Sequence, residues 1–131
     1  MRDYGISETT AKHLSQKFGT NAAKVMELAK KEAELGGPLI AGFAPLRAEV
    51  AYCARYEMAM TIEDVLMRRT GLQFFSWQAA IRAAAPVGAI LAKELGWNAE
   101  QERAAVKHYE NKIHRLIELA GLSANPATAA N

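Results

Sequence analysis

The chain has 131 residues, 16 Lys+Arg against 14 Asp+Glu for a formal charge of +2, and is 50% hydrophobic and 23% charged, as an ordinary globular domain is. At this length one domain over residues 1–131 can bury roughly two-thirds of its unfolded surface, so two substantial domains are excluded and folding requires no metal or disulfide. The single cysteine, Cys53, excludes an intramolecular disulfide framework, and the absence of a transmembrane-length apolar run or a signal-peptide core places the expectation in a reducing cytoplasm.

Periodicity is helical almost throughout, and no run alternates long enough to be a strand. Residues 1–7 read as a connector. Ser7, with Thr10 three positions on and Glu8 in the first turn, opens a helix whose apolar positions Ala11, Leu14 and Phe18 share a face; Gly19 ends it. Asn21 is the expected N-cap of a second helix running to about Leu35, with Ala22, Val25, Leu28, Ala29 and Ala33 inward. Gly36, Gly37 and Pro38 stop it, and a loop over 39–45 follows.

Leu46 to Met60 is apolar nearly all round its helical circumference, the pattern of a buried central helix. Its charged members Arg47, Glu49, Arg55 and Glu57 require partners elsewhere, because an unpaired buried charge costs several kcal/mol. Thr61 and Asp64 have capping-box spacing and predict a short helix from Ile62 to Arg69, with Arg68 and Arg69 in its last turn and Gly71 after it. A further helix is expected from Leu72 to Ala84, and Pro86 then fits the first turn of another that ends at Gly96. Asn98, with Gln101 in the reciprocal position, caps a long last helix whose stripe is Val106, Tyr109, Ile113, Leu116, Ile117 and Ala120. Residues 122–131 read as a frayed tail. The expected fold is all-α: an irregular bundle of about six to seven short helices around one buried central helix.

No catalytic, cofactor-binding or metal-binding residue emerges from this pattern. Neither glycine-rich phosphate motif occurs, and His13, His108 and His114 include no i, i+4 pair. Cys53 reads as a packed thiol. Glu49 and Glu57 lie eight apart and could share a face as a general acid–base pair, but bridging to Arg55, Arg68 and Arg69 is the stronger reading. Residues 46–70 and 98–131 each carry four basic and four acidic groups, so no concentrated basic face exists and nucleic acid is excluded as a partner. Phe74, Phe75 and Trp77 form an aromatic cluster better suited to a core than to a membrane belt.

The run from Ala48 to Thr70, with Ala48-Glu49-Val50, Tyr52, Arg55, Glu57-Met58-Ala59, Thr61-Ile62, Asp64, Leu66 and Arg68-Arg69-Thr70, resembles the hallmark stretch of the C-terminal helical domain of aerobic, FAD-dependent glycerol-3-phosphate dehydrogenase. The similarity extends outward to the helix–Phe-Gly–helix entry at Leu14 to Val25 and to the turn Glu94-Leu95-Gly96-Trp97-Asn98. It departs after Thr70, where the family carries a further basic residue and an aliphatic stretch and this chain is aromatic-rich.

The resemblance implies a non-catalytic domain appended to a flavoenzyme that oxidises sn-glycerol 3-phosphate to dihydroxyacetone phosphate and passes electrons to quinone. FAD and the substrate would be held by an upstream catalytic domain, the implied partner, with the parent enzyme peripheral at the inner face of the membrane. Glu49, Arg55, Glu57, Thr61, Asp64, Arg68 and Arg69 are then the motif that shapes the domain and its contact with that partner. The alternative is an independent helical interaction module, and a homo-oligomer is open under either reading.

Overall fold

A computed structural model describes residues 7–69 and 77–121, without the side chains of Arg68 and Arg69. The expectations for residues 1–6, Thr70, Gly71, Phe74, Phe75 and the 122–131 tail lie outside the described residues. Within them the chain is helical, with one isolated antiparallel bridge, Pro38 to Leu46, and no strand.

Five α-helices are described, against the six to seven expected: α1 (Glu8–Phe18), α2 (Ala22–Lys31), α3 (Arg47–Tyr56), α4 (Trp77–Leu95) and α5 (Ala99–Leu119). Between α3 and α4, Asp64–Arg69 winds as a π-helical turn where the spacing predicts an α-helix. The larger correction is α4. Pro86 lies inside it, where the reading placed a break. The missing proline amide would have bonded the carbonyl of Arg82, and Arg82 is exposed, so water can satisfy that carbonyl. An alanine-rich first half carries the helix through the defect.

The local caps follow the chemistry of their side chains. Ser7 Oγ accepts from the Thr10 amide at 3.1 Å to open α1, and Asn98 and Gln101 exchange side-chain to backbone bonds of 2.8 and 2.9 Å to open α5. Asn21 makes no side-chain cap; it belongs to a 3₁₀ turn, Gly19–Asn21, that carries α1 directly into α2. α2 stops at Lys31, short of the expected Leu35, because Glu32 turns to extended backbone and Ala33–Leu35 forms a separate 3₁₀ turn that leaves Ala33 exposed. The loop that follows is clasped by Leu39 N–H to Pro45 O (2.9 Å) and Arg47 N–H to Gly37 O (3.0 Å), which folds Leu39 and Ile40 into the core.

α3 is the buried centre. Ala48, Glu49, Val50, Ala51, Tyr52 and Cys53 are all buried, and α3 packs against α2 on one side and α4 on the other. It ends at Tyr56 and not at Met60. The carbonyl of Cys53 accepts from the amides of both Glu57 and Ala59 (3.0 Å each), and Met58 between them takes a left-handed φ of 58°. That turn swings Ala59 and Ile62 into the core. α4 presents a stripe of small residues, Ala79, Ala80, Ala83, Ala84 and Gly88, which lets α3 and α5 approach closely. At Gly88 a Cβ would lie 2.6 Å from Val106 Cγ2 of α5. Tyr109, Ile113 and Ile117 close the core from α5, with Val106 and Leu116 partly buried and Ala120 exposed.

Candidate functional site around the central helix

Glu49 is the most constrained of the motif residues. It sits in the first turn of α3 with no exposed side-chain surface; one carboxylate oxygen accepts from the Leu46 amide and the other lies 2.7 Å from His13 Nε2 of α1. A carboxylate accepts, so His13 Nε2 carries the hydrogen. The sequence reading expected an arginine partner for Glu49 and named no partner for His13. Instead the two bridge α1 to α3, and the anion also sits at the positive end of the α3 dipole.

Arg55, at the other end of α3, is the hub of a second network. Its Nε and Nη2 donate to Glu94 at 2.6 and 2.9 Å, and its Nη1 and Nη2 donate to Glu32 at 3.0 and 3.3 Å. The planar guanidinium thus ties the end of α2 and the end of α4 to α3. Hydrogen bonding to Glu94 and then Glu32 holds the Arg55 guanidinium above its ordinary range, and Arg55 holds the Glu32 carboxyl below its own. Beside it Lys93 pairs with Glu34, which raises the lysine. Arg55 thus finds partners elsewhere in the fold, as expected of a charged residue of this helix: Glu32 just after α2 and Glu94 in α4, and not the carboxylates of α3 itself.

Glu57 accepts a thiol hydrogen bond from Cys53 at 3.5 Å, and Cys53 is buried and free of any disulfide, a packed thiol as expected. Glu49 and Glu57 do not converge on one acid–base site, since Glu49 faces α1 at the start of α3 and Glu57 lies at its end. Tyr52 stacks edge-on against Phe18 (5.5 Å) and tilts against Tyr56 (5.1 Å), and burial lifts its phenol above the ordinary range.

Thr61 and Asp64 form the reciprocal pair their spacing predicts. Thr61 Oγ1 accepts from the Asp64 amide at 3.0 Å, and Asp64 Oδ2 accepts from the amides of Met60 and Thr61 at 3.1 and 3.2 Å. Glu63 pairs with Lys112 of α5, and burial, then the nearby Glu63, push the Tyr109 phenol up. The side chains of Arg68 and Arg69 lie outside the described residues. Trp77 packs partly buried against the core.

Among the described residues, Glu49, Arg55, Glu57, Thr61 and Asp64 thus serve separate junctions and do not make one pocket. A cleft of about 250 Å³ beside Arg47, Pro86 and Ile90 is walled by Glu32, Glu34 and Glu94. A smaller apolar groove of about 190 Å³ runs between Met60, Ile62 and Trp97. Among the described residues no group of three His, Cys, Asp or Glu could hold a metal ion, and no helix is long and apolar enough to cross a membrane. Sequence reasoning missed one feature entirely: Tyr56, Met58 and Met60, read as part of a buried helix, are 68%, 82% and 63% exposed. Alternation of apolar residues after the helix end was the available signal, hidden because the helix end itself was placed four residues late.

Residues 1–102 match the family model for the C-terminal domain of alpha-glycerophosphate oxidase. The chain belongs to this family. The match takes in the Arg55 network, the Thr61–Asp64 cap and all of α4. Among relatives, the chain is 41% identical over 98 residues to a mitochondrial glycerol-3-phosphate dehydrogenase of Arabidopsis thaliana, covering 75% of this chain and 15% of that protein. It is 31% identical over 116 residues to a probable mitochondrial glycerol-3-phosphate dehydrogenase of Dictyostelium discoideum, covering 88% and 18%. To the mitochondrial glycerol-3-phosphate dehydrogenase of Homo sapiens it is 30% identical over 141 aligned residues, covering 97% and 19%. The chain therefore spans less than a fifth of the length of each of these three proteins. No solved structure matches it significantly.

Proposed function

We propose that this domain does no chemistry itself and serves as the appended C-terminal part of an FAD-dependent glycerol-3-phosphate dehydrogenase. The parent oxidises sn-glycerol 3-phosphate to dihydroxyacetone phosphate, with quinone as electron acceptor. The observation that carries this reading is the extent of the match: a family model of a C-terminal domain spans residues 1–102, while the chain accounts for 15–19% of the three relatives named above.

The donor chemistry fits that division of labour. A flavin's diphosphate needs backbone amides and cations turned toward it. Here the cleft at the end of α2 sets three carboxylates, Glu32, Glu34 and Glu94, against two cations, Arg47 and Lys93, of which Lys93 is paired with Glu34, and the nearby Arg55 guanidinium is shared between Glu32 and Glu94. These residues do not fit FAD, and the cofactor and substrate belong to the upstream partner domain. Glu49, Arg55, Glu57, Thr61, Asp64, Arg68 and Arg69 act in shaping the surface offered to that partner. Under this reading the chain is cytoplasmic, with its parent peripheral at the inner face of the membrane; the three relatives are mitochondrial by name, and cell fractionation tests the location.

The test is to graft the 131-residue chain in place of the matching C-terminal stretch of the Arabidopsis enzyme and assay glycerol 3-phosphate oxidation. The reading predicts an active graft and a purified isolated chain without flavin absorbance or dehydrogenase activity. A flavin-coloured, active isolated chain would contradict it.

A further inference from the structure

We propose that the segment 56–60, with the apolar groove beside it, is the surface on which the rest of the parent polypeptide docks. This rests on the appended-domain reading and adds to it the face of the domain that is covered.

The argument begins with an energetic mismatch in the chain alone. Met58 holds a left-handed φ of 58°, a conformation that a glycine adopts freely and a long side chain resists. Its side chain is 82% exposed, so packing within this domain does not repay that strain. Tyr56 and Met60, two residues to either side, are 68% and 63% exposed, while Ala59 between the methionines is buried and anchors the segment. Three large apolar side chains are thus held in water on a backbone anchored at both ends: the Cys53 carbonyl grips the Glu57 and Ala59 amides, and Asp64 Oδ2 accepts from the Met60 amide. An ordered apolar projection has a use when something covers it.

Met60 also forms the lip of the groove of about 190 Å³ whose floor includes Ile62, Trp97 and Ala105. The projection and the groove are continuous through one residue, and methionines and an aromatic edge suit an irregular apolar partner surface. The occupant is the remainder of the parent polypeptide. The projecting segment 56–60 falls within the matched residues 1–102, the groove takes its further wall from Ala105, His108, Tyr109 and Lys112 of α5 beyond them, and more than four-fifths of each named relative lies outside the matched stretch. A partner of that size is therefore attached to this family's domain in those proteins.

Peroxide oxidation of methionine, followed by peptide mass spectrometry, reads coverage directly, with core-buried Met26 as internal control. It is run on the isolated chain and on the chain grafted onto the Arabidopsis remainder. The proposal predicts that Met58 and Met60 oxidise at least tenfold more slowly in an active graft, with Met26 slow in both. An active graft in which both oxidise as fast as in the isolated chain would overturn the docking surface and leave the appended-domain reading standing. A graft that neither oxidises glycerol 3-phosphate nor protects the methionines would overturn both. Protection in the isolated chain that grows with its concentration would assign the face to a second copy and overturn the proposal. The variant Met58→Gly separates docking from folding: it keeps the isolated chain's melting temperature at or above the parent value while raising Met60 oxidation in the graft. A fall in melting temperature with Met60 still protected would contradict the strain argument.

Discussion

His13 Nε2 of α1 lies 2.7 Å from Oε1 of Glu49, a carboxylate with no exposed surface in the first turn of α3. Thirty-six residues separate the two in sequence. The pair shows how this domain keeps a charged residue in its most buried helix: one oxygen is satisfied by the helix's own entry amide and the other by a side chain from a different helix. Removing either partner strands the other, and that cost exceeds what the bond itself contributes.

Glu49→Ala should therefore destabilise the domain by about 3 kcal/mol, since it orphans both the Leu46 amide and His13 and opens a cavity. His13→Ala should cost less, about 1–2 kcal/mol, because the Leu46 amide still serves the carboxylate. Urea denaturation followed by circular dichroism measures both. Equal costs would show that the two bonds to Glu49 are not independent.

Arg55→Lys should behave like Arg55→Ala. The guanidinium spans two carboxylates, Glu32 just after α2 and Glu94 in α4, through four donor–acceptor contacts, and an ammonium cannot reproduce that fork. The pair with Glu94 is the better buried of the two, and the loss should be about 1–2 kcal/mol, reduced by salt because the cluster is partly solvated. Melting of the three proteins at low and high salt checks it.

Gly88→Ala places a Cβ 2.6 Å from Val106 Cγ2, and valine's stiff χ1 gives it little room to retreat. Overpacking of about 2 kcal/mol should outweigh the roughly 1 kcal/mol that alanine gains over glycine in a helix. The net effect is a small destabilisation, and Val106→Ala in the same chain should relieve it. A double-mutant cycle in thermal melting gives the coupling; additive effects would mean that α4 and α5 separate without cost.

The pH profile should fall at both ends for different groups. Glu32 titrates below its ordinary 4.5 in the folded chain because Arg55 bonds it. Its contribution is present above 4.5 and is lost as acid protonates it in the folded state, and Arg55→Gln should remove that part of the acid limb. Tyr109 is raised above 10.0 by burial, so its contribution is complete below pH 10 and falls as the unfolded chain ionises first. Stability measured by urea midpoints from pH 8 upward should decline beyond pH 10, and Tyr109→Phe should flatten that decline.

What the sequence made legible is what depends on neighbours three or four residues away. The Ser7, Asn98–Gln101 and Thr61–Asp64 caps form as read, because each requires a short side chain and an amide within one turn. The buried stripe of α1 and the central position of α3 follow equally from periodicity. Partner choice was not legible. Arg55 bonds Glu94 across 39 residues, and nothing local distinguishes that carboxylate from Glu49 or Glu57. The left-handed turn at Met58 was hidden for a related reason: its residue type argues against the conformation, so the pattern read as continuous helix through Met60. Pro86 misled in the opposite sense, a strong breaker overridden by the packing of the surrounding alanines. The family was legible in the motif from Ala48 to Thr70, while the exposure of Tyr56, Met58 and Met60, on which the proposed docking face rests, became visible only in the structure.

The most direct measurement is the size of the native product in its source cell, probed with an antibody raised against this domain. The account predicts a band several times larger than 14.3 kDa that carries flavin and oxidises glycerol 3-phosphate. A band at 14.3 kDa that co-purifies with no flavoprotein would contradict it and identify a free-standing helical module.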